Sequence, residues 1–287
     1  MTATLPTGVL RAPRAGLARA LRQRVAGDRF AEAHAKIWDA EGPRWFTEAD
    51  PIWRVHLDTA TFVGGIRALL LQSLHPVAMQ GVAENSGFRH DPWGRLQRTS
   101  SYLATTTFGT VAAAQQIIAV VKAVHVHVTG TTPQGRVYHA SDPDLLLWIH
   151  AAEADSFLTA HQQYGADRLT AAEQDTYVAQ LGSIAAQLGV IDPPQTVAEL
   201  DAVIADFRPE LRWSAYAMEA AELLLRKPAL PGVARPGYAM LAAGAIASLP
   251  PWARAELRLP TLPITDRLLA RPAARVALGT IRWALSG

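Results

Sequence analysis

The chain has 287 residues, 49% of them hydrophobic and 18% charged, with a formal net charge of +2. It is long enough to bury a large core, and it is low in charge for a soluble protein, where about a quarter is usual. Cysteine is absent, which excludes disulfides, thiolate-ligated haem, iron–sulfur clusters, cysteine zinc sites and a cysteine nucleophile.

Residues 1–26 are punctuated by arginine and lack the apolar core of a signal peptide. Helical periodicity starts at 13–26 and 31–41. Asp50-Pro51 puts a good N-cap before a proline at the first helical position and predicts a helix over 51–73. His75-Pro76 ends it, because proline lacks the amide and restricts its predecessor. A short helix over 76–84 follows, and Asp91-Pro92 opens a long one over 92–128 with a break expected near Phe108-Gly109. The only strand candidate is 135–139, between Gly130 and Asp142. Asp142-Pro143 then opens 142–164, while Thr170 with Glu173 and Thr196 with Glu199 have capping-box spacing and open 170–189 and 196–206. Helices over 212–227, 236–248 and 263–285 complete the chain, with breaks at Pro193-Pro194 and Pro250-Pro251.

The expected fold class is all-α: a single globular multi-helix domain over 1–287 with a buried histidine-lined pocket, residues 1–30 being peripheral to it. No Ser/Gly tract, Pro-rich spacer or run of like charge divides the chain. No apolar run reaches the ~20 residues of a membrane span, and the best candidate, 59–71, is cut by Arg67. A cytoplasmic location is expected. Lysine occurs only at Lys36, Lys122 and Lys227, and no basic cluster is interleaved with aromatics, so nucleic acid is not an expected partner.

Without cysteine, any metal must be held by histidine, carboxylate or a cofactor ring. His125 lies near the end of an apolar helix, sharing a face with Ile118, Val121 and Lys122. His150 lies inside the next long helix, with Glu153, Phe157 and His161 on or near its face. Spacing alone does not separate ligands from hydrogen-bonded core histidines. No Glu has His three residues later, as a di-iron carboxylate bundle requires. His56-Leu57-Asp58 has the His-x-Asp order of a facial triad but sits in a helical stretch, whereas that triad needs an extended strand. No nucleophile elbow, phosphate loop or dinucleotide fingerprint is present. On the 92–128 helix, Arg95, Arg98, Thr99 and Tyr102 share a face. That stripe suits a pocket for an anionic group or bound oxygen, and it equally suits a solvated helix face.

Residues 67–76 (RALLLQSLHP), 94–99 (GRLQRT), 125–130 (HVHVTG) and 142–150 (DPDLLLWIH), in this order, resemble the haem-dependent oxygenase family that includes the bacterial latex-clearing proteins and fungal MpaB. Tyr164-Gly165, the Thr170–Glu173 cap and Pro250-Pro251-Trp252-Ala253-Arg254 extend the likeness, which covers about residues 30–285. The resemblance implies an all-helical protein holding haem b, with His125 as the proximal iron ligand and His150 supporting the haem pocket. It maps a distal pattern onto Arg95, Arg98 and Thr99, and with Lys122 and Tyr102 these complete the expected site. The implied activity is that of an oxygenase or peroxygenase on an apolar or aromatic small molecule, with dioxygen or peroxide. Arg98 stands where latex-clearing proteins have a lysine able to ligate iron, and Lys122 and Thr129 stand where they have arginines. Rubber cleavage is therefore not implied. A non-catalytic haem- or lipid-binding helical protein, peripheral to a membrane, is the alternative. The arginine-rich 263–285 helix fits either an interfacial helix or a terminal helix docked on the core, and the docked helix is the expected reading.

Overall fold

Proline and acidic caps cut the chain into helices much as the sequence suggests. In the computed structural model, which describes residues 14–20, 30–87, 91–132 and 135–286, residues 14–20 are helical. The rest of the 13–26 expectation lies outside the described residues. The labelled helices are α1 (Phe30–His34, continued by a π turn Ala35–Asp39), α2 (Pro51–Leu57), α3 (Thr61–Gln72), α4 (Pro76–Asn85), α5 (Pro92–Phe108) and α6 (Val111–His127). After a small hairpin of β1 (Thr129–Thr131) and β2 (Val137–His139) come α7 (Pro143–Tyr164), α8 (Ala171–Leu188), α9 (Val197–Phe207) and α10 (Ala215–Leu225). The chain closes with α11 (Arg235–Ser248), α12 (Pro251–Glu256) and α13 (Arg271–Leu285), the last entered through Pro263–Thr265 and a π turn, Asp266–Ala270.

Several expectations are corrected. The 51–73 helix is two helices, because Asp58 adopts an extended conformation with ψ 142°. Its carboxylate accepts from the amides of Ala60 (2.7 Å) and Ala166 (2.9 Å), which turns the chain between α2 and α3. Asp50 and Asp142 do not cap their helices. The Asp50 carboxylate accepts instead from the Thr47 amide at 2.7 Å, and that of Asp142 from the His139 amide at 2.9 Å. Asp91 does cap, accepting from the Gly94 amide at 2.8 Å. The Thr170–Glu173 capping box is complete, but Glu199 turns its carboxylate to the Gln195 amide, so only the Thr196 half of the second box forms. The 135–139 candidate is a strand at 137–139, and its partner at 129–131 carried no separate signal: Thr129 pairs with His139 in antiparallel register.

α7 is the central element. Trp148, Ala152, Ala160 and Tyr164 pack into a core shared with α3, α10, α11, α12 and α13. Ala151, Ala154, Phe157 and Leu158 pack into a second core shared with α2, α6, α8 and α9. The two longest-packed partners, α3 and α7, touch backbone to ring at Gly64, where a Cβ would lie 2.6 Å from the Phe157 ring. Arg67, which interrupts the apolar run, is 3% exposed and ties three helices together. It lies 2.6 Å from the Asp155 carboxylate and donates to Ser156 Oγ and the Ser248 carbonyl. Its charge is therefore neutralised inside the core, as a buried guanidinium requires.

Candidate functional site

α5 and α6 pack on each other and form an arm joined through Gly109-Thr110. The joint is tightly held. Thr110 Oγ1 accepts from the Ala113 amide, and the Val111 amide donates to the Pro43 carbonyl at 2.8 Å. The Arg44 guanidinium donates to the carbonyls of Ile37 (2.7 Å), Trp38, Ala40 and Phe108. Trp38 stacks on Phe108, and the Trp53 ring meets both edge-on. Away from this joint the arm packs loosely: no described side chain from Gly94 to Thr105 is fully buried, and α6 buries only Ala114 and Ile118. Its apolar inner residues, Tyr102, Leu103 and Ala104, face the second core, where Phe157 and Tyr177 lie.

Opposite stands a polar stripe on α7. His150 is 7% exposed and its Nε2 is buried without a hydrogen-bond partner. Burial holds its pKa down to about 4, so the ring is neutral. One turn on, Glu153 has no hydrogen bond or ion pair among the described residues, and burial pushes its carboxyl up to about 7. Burial raises the Tyr102 and Tyr177 hydroxyls, and the Glu153 charge adds to both shifts. The carboxyl thus sits within electrostatic reach of a phenol on the arm and another on α8. The Tyr177 hydroxyl is 3.3 Å from His56 Nε2, and His56 Nδ1 is 2.8 Å from Thr107 Oγ1. A neutral His56 satisfies both contacts, since burial, helped by His161, lowers its pKa to about 3. His161 Nε2 bonds the Asp167 carbonyl at 2.9 Å, leaving a buried, unpartnered Nδ1.

The residues singled out from sequence fall into two groups. His125, half-buried on the Ile118 side of α6, has its pKa lowered by burial, and Tyr102 and His150 face the interior as described. Arg95 is half-buried, donates to Ser86 Oγ at 3.3 Å, and is held down to about 10 by burial and then by Arg98; it stays cationic at neutral pH. Arg98, Thr99 and Lys122 are exposed. Arg98 lies 3.4 Å from Asp91, and Lys122 Nζ donates to the Gln187 carbonyl at 3.3 Å. The His56-Leu57-Asp58 triad fragment is dispersed, with His56 buried, Leu57 60% exposed and Asp58 spent on backbone amides and Arg282. Sequence reasoning gave Glu153 no role and missed Tyr177. The three-residue step from His150 to Glu153 was its only signal. Among the described residues no group of three or more His, Asp or Glu side chains could hold a metal ion.

The model of one protein family, described as ER-bound oxygenase mpaB/B′/rubber oxygenase, catalytic domain, matches residues 53–283. The chain belongs to this family. No curated protein and no solved structure matches it. The matched span takes in the whole arm, α7 and most of α13, so the site described above lies inside an mpaB/rubber-oxygenase catalytic domain. Two of the residues that suggested the family have architectural duties here. His75 accepts from the Ala78 amide as the cap of α4, and Arg254 braces the loop before α13.

Proposed function

We propose that the chain is a haem b-dependent oxygenase or peroxygenase acting on an apolar or aromatic small molecule, with His125 as the proximal iron ligand. The observation that carries the reading is the stripe of His150 and Glu153: a buried ring nitrogen without a partner and, one turn on, a half-buried carboxyl without a protein hydrogen bond, facing a loosely packed arm. Buried polar groups are normally satisfied, and an unpartnered ring nitrogen beside an unpaired carboxyl suits a ligand-binding interior. The residues fit haem. Burial keeps His125 neutral, so its ring nitrogen offers a lone pair, and a single imidazole suffices when a macrocycle supplies the other ligands. When bound, the haem supplies the activation of dioxygen or peroxide.

The chain's own groups would do the rest. Arg95, cationic and held by Ser86, would pair with a carboxylate of the cofactor or substrate. Leu103, Ile118 and Phe157 would exclude water and accept an apolar substrate. Tyr102 keeps its proton and would donate a hydrogen bond into the pocket. Glu153 Oε would hold or release a proton near neutral pH, the range in which a general acid–base group works best. Arg98 and Thr99 enter this site through the family resemblance, and Lys122 and His150 would support the cofactor.

The test is an absorption spectrum of the purified protein, as isolated and with added haemin, in ferric and dithionite-reduced forms. A Soret band near one haem per chain, lost in His125→Ala and kept in Glu153→Gln, is expected. A chain that stays colourless with haemin overturns the proposal.

A further inference from the structure

α13 has two apolar faces where a docked helix needs one. The inner face, Ala274, Ala277, Leu278, Ile281 and Ala284, is buried. The outer side carries Leu269 in the π turn, then Val276 and Trp283 on the helix, which are 65%, 62% and 39% exposed, Trp283 being overlaid by the Arg14 guanidinium. Their seven-residue spacing puts them on one side, two turns apart. The approach to the helix is more apolar still, with Leu262, Ile264 and Leu268 exposed by 50%, 76% and 63%. Single exposed apolar residues are ordinary, but a contiguous set marks an interaction surface.

The charges beside this face are of one sign. Arg267, Arg271 and Arg275 follow at four-residue intervals, and none has a carboxylate partner among the described residues. Arg271 is half-buried and donates to the Ala247 carbonyl, while Arg267 and Arg275 are exposed, Arg275 donating to the Gln163 carbonyl at 3.3 Å. The sole acidic residue in 257–287 is Asp266, and it is withdrawn against Arg254, 2.6 Å away, with both side chains largely buried. Arg254 also donates to the Pro260 carbonyl, so the protruding loop is braced from within. Behind the helix, Gly244 brings α11 so close that a Cβ there would lie 2.5 Å from Ala274 Cβ. The apolar face is thus rigidly mounted, and docking costs little ordering entropy.

We infer that residues 262–283 form a peripheral docking face for an anionic lipid surface, with Leu262, Ile264, Leu268 and Leu269 reaching the acyl boundary while the exposed Arg267 and Arg275 meet lipid phosphates. A second copy of the chain is the poorer occupant. A two-fold contact through this face would set arginine stripe against arginine stripe with no carboxylate to pair them. Anionic lipid supplies an apolar layer and negative charge together. Among the described residues no single helix is long and apolar enough to cross a membrane, and the contact inferred lies along the surface.

The experiment is co-sedimentation of the intact chain with vesicles of phosphatidylcholine alone, and of phosphatidylcholine and phosphatidylglycerol in equal parts, at low and high salt. The chain should bind the anionic vesicles more tightly and lose binding with salt. Leu268→Asp/Leu269→Asp should cut partitioning at least about tenfold, and Arg267→Gln/Arg275→Gln about tenfold on anionic vesicles only. Ile191→Asp, at a site 62% exposed elsewhere on the molecule, should bind like the parent. Circular dichroism and melting temperature keep misfolding apart from lost docking. Equal partitioning of the parent and both double variants overturns the inference. So does a parent that ignores vesicles but self-associates in sedimentation equilibrium, with Leu268→Asp/Leu269→Asp monomeric.

Discussion

Replacing Glu153 by glutamine should stabilise the haem-free chain, and only above the acid range. The native carboxyl binds its proton with a pKa of about 7, against an ordinary value of 4.5. Below pH about 4.5 both folded and unfolded states hold the proton, and Glu153 costs nothing. As pH rises, the unfolded chain releases it while the folded chain keeps it, so stability falls until the folded carboxyl also ionises near pH 7. At ~1.4 kcal/mol per unit the gap corresponds to about 3 kcal/mol, reduced to about 2–3 because the side chain is half-buried rather than sealed. The neighbouring groups do not cancel this. Tyr102 and Tyr177 stay protonated, and the His150 and His56 rings are neutral over the whole window. Urea denaturation of parent and Glu153→Gln at a series of pH values measures the difference directly. It should be near zero at pH about 4 and grow to about 2–3 kcal/mol by pH about 8. A difference independent of pH would refute the reasoning, because the carboxyl would then not be buried without a partner.

Gly244→Val should separate α11 from α13, since even a Cβ would meet Ala274 at 2.5 Å. A loss of about 1–3 kcal/mol is expected from a thermal melt, with haem binding by the surviving folded fraction unchanged. Arg67→Met should cost about 3–5 kcal/mol by leaving the Asp155 carboxylate uncompensated. Arg67→Met with Asp155→Leu should recover most of it, and a double variant no better than the single would show that the guanidinium's backbone contact matters more than the ion pair.

Most helix starts were legible because proline and capping residues act locally: their effect is felt within one turn, whatever the rest of the chain does. Asp91 and Thr170 show this directly. The misreadings came where a side chain found a better partner at a distance. Asp58 reaches Ala166 and Arg282 and thereby splits a helix that periodicity runs through. The π turns at 35–39 and 266–270 have no compositional mark, since one extra residue per turn is set by what the helix packs on. The site was half legible. Helical spacing put His125 on the Ile118 face and Glu153 near His150, but it could not say which histidines lack partners. His56, His75 and His161 look no different in sequence from His150, yet each has a hydrogen bond. Glu153 gains its character from burial, which only the packed helices supply, and its charge is felt at Tyr102 on α5 and Tyr177 on α8.

The Arg44 clamp has a consequence for local opening. The arm is fastened at one end by a guanidinium that holds the Phe108 carbonyl together with carbonyls of the α1 turn, and elsewhere it buries little. Swinging it outward would leave the α3, α7, α11 and α13 core intact, because the core residues those helices share lie outside the arm. The body's first core can therefore persist while the arm moves. The arm is thus the part of the chain that can open without unfolding that core, and its amides should exchange with solvent sooner than those of α3 and α7.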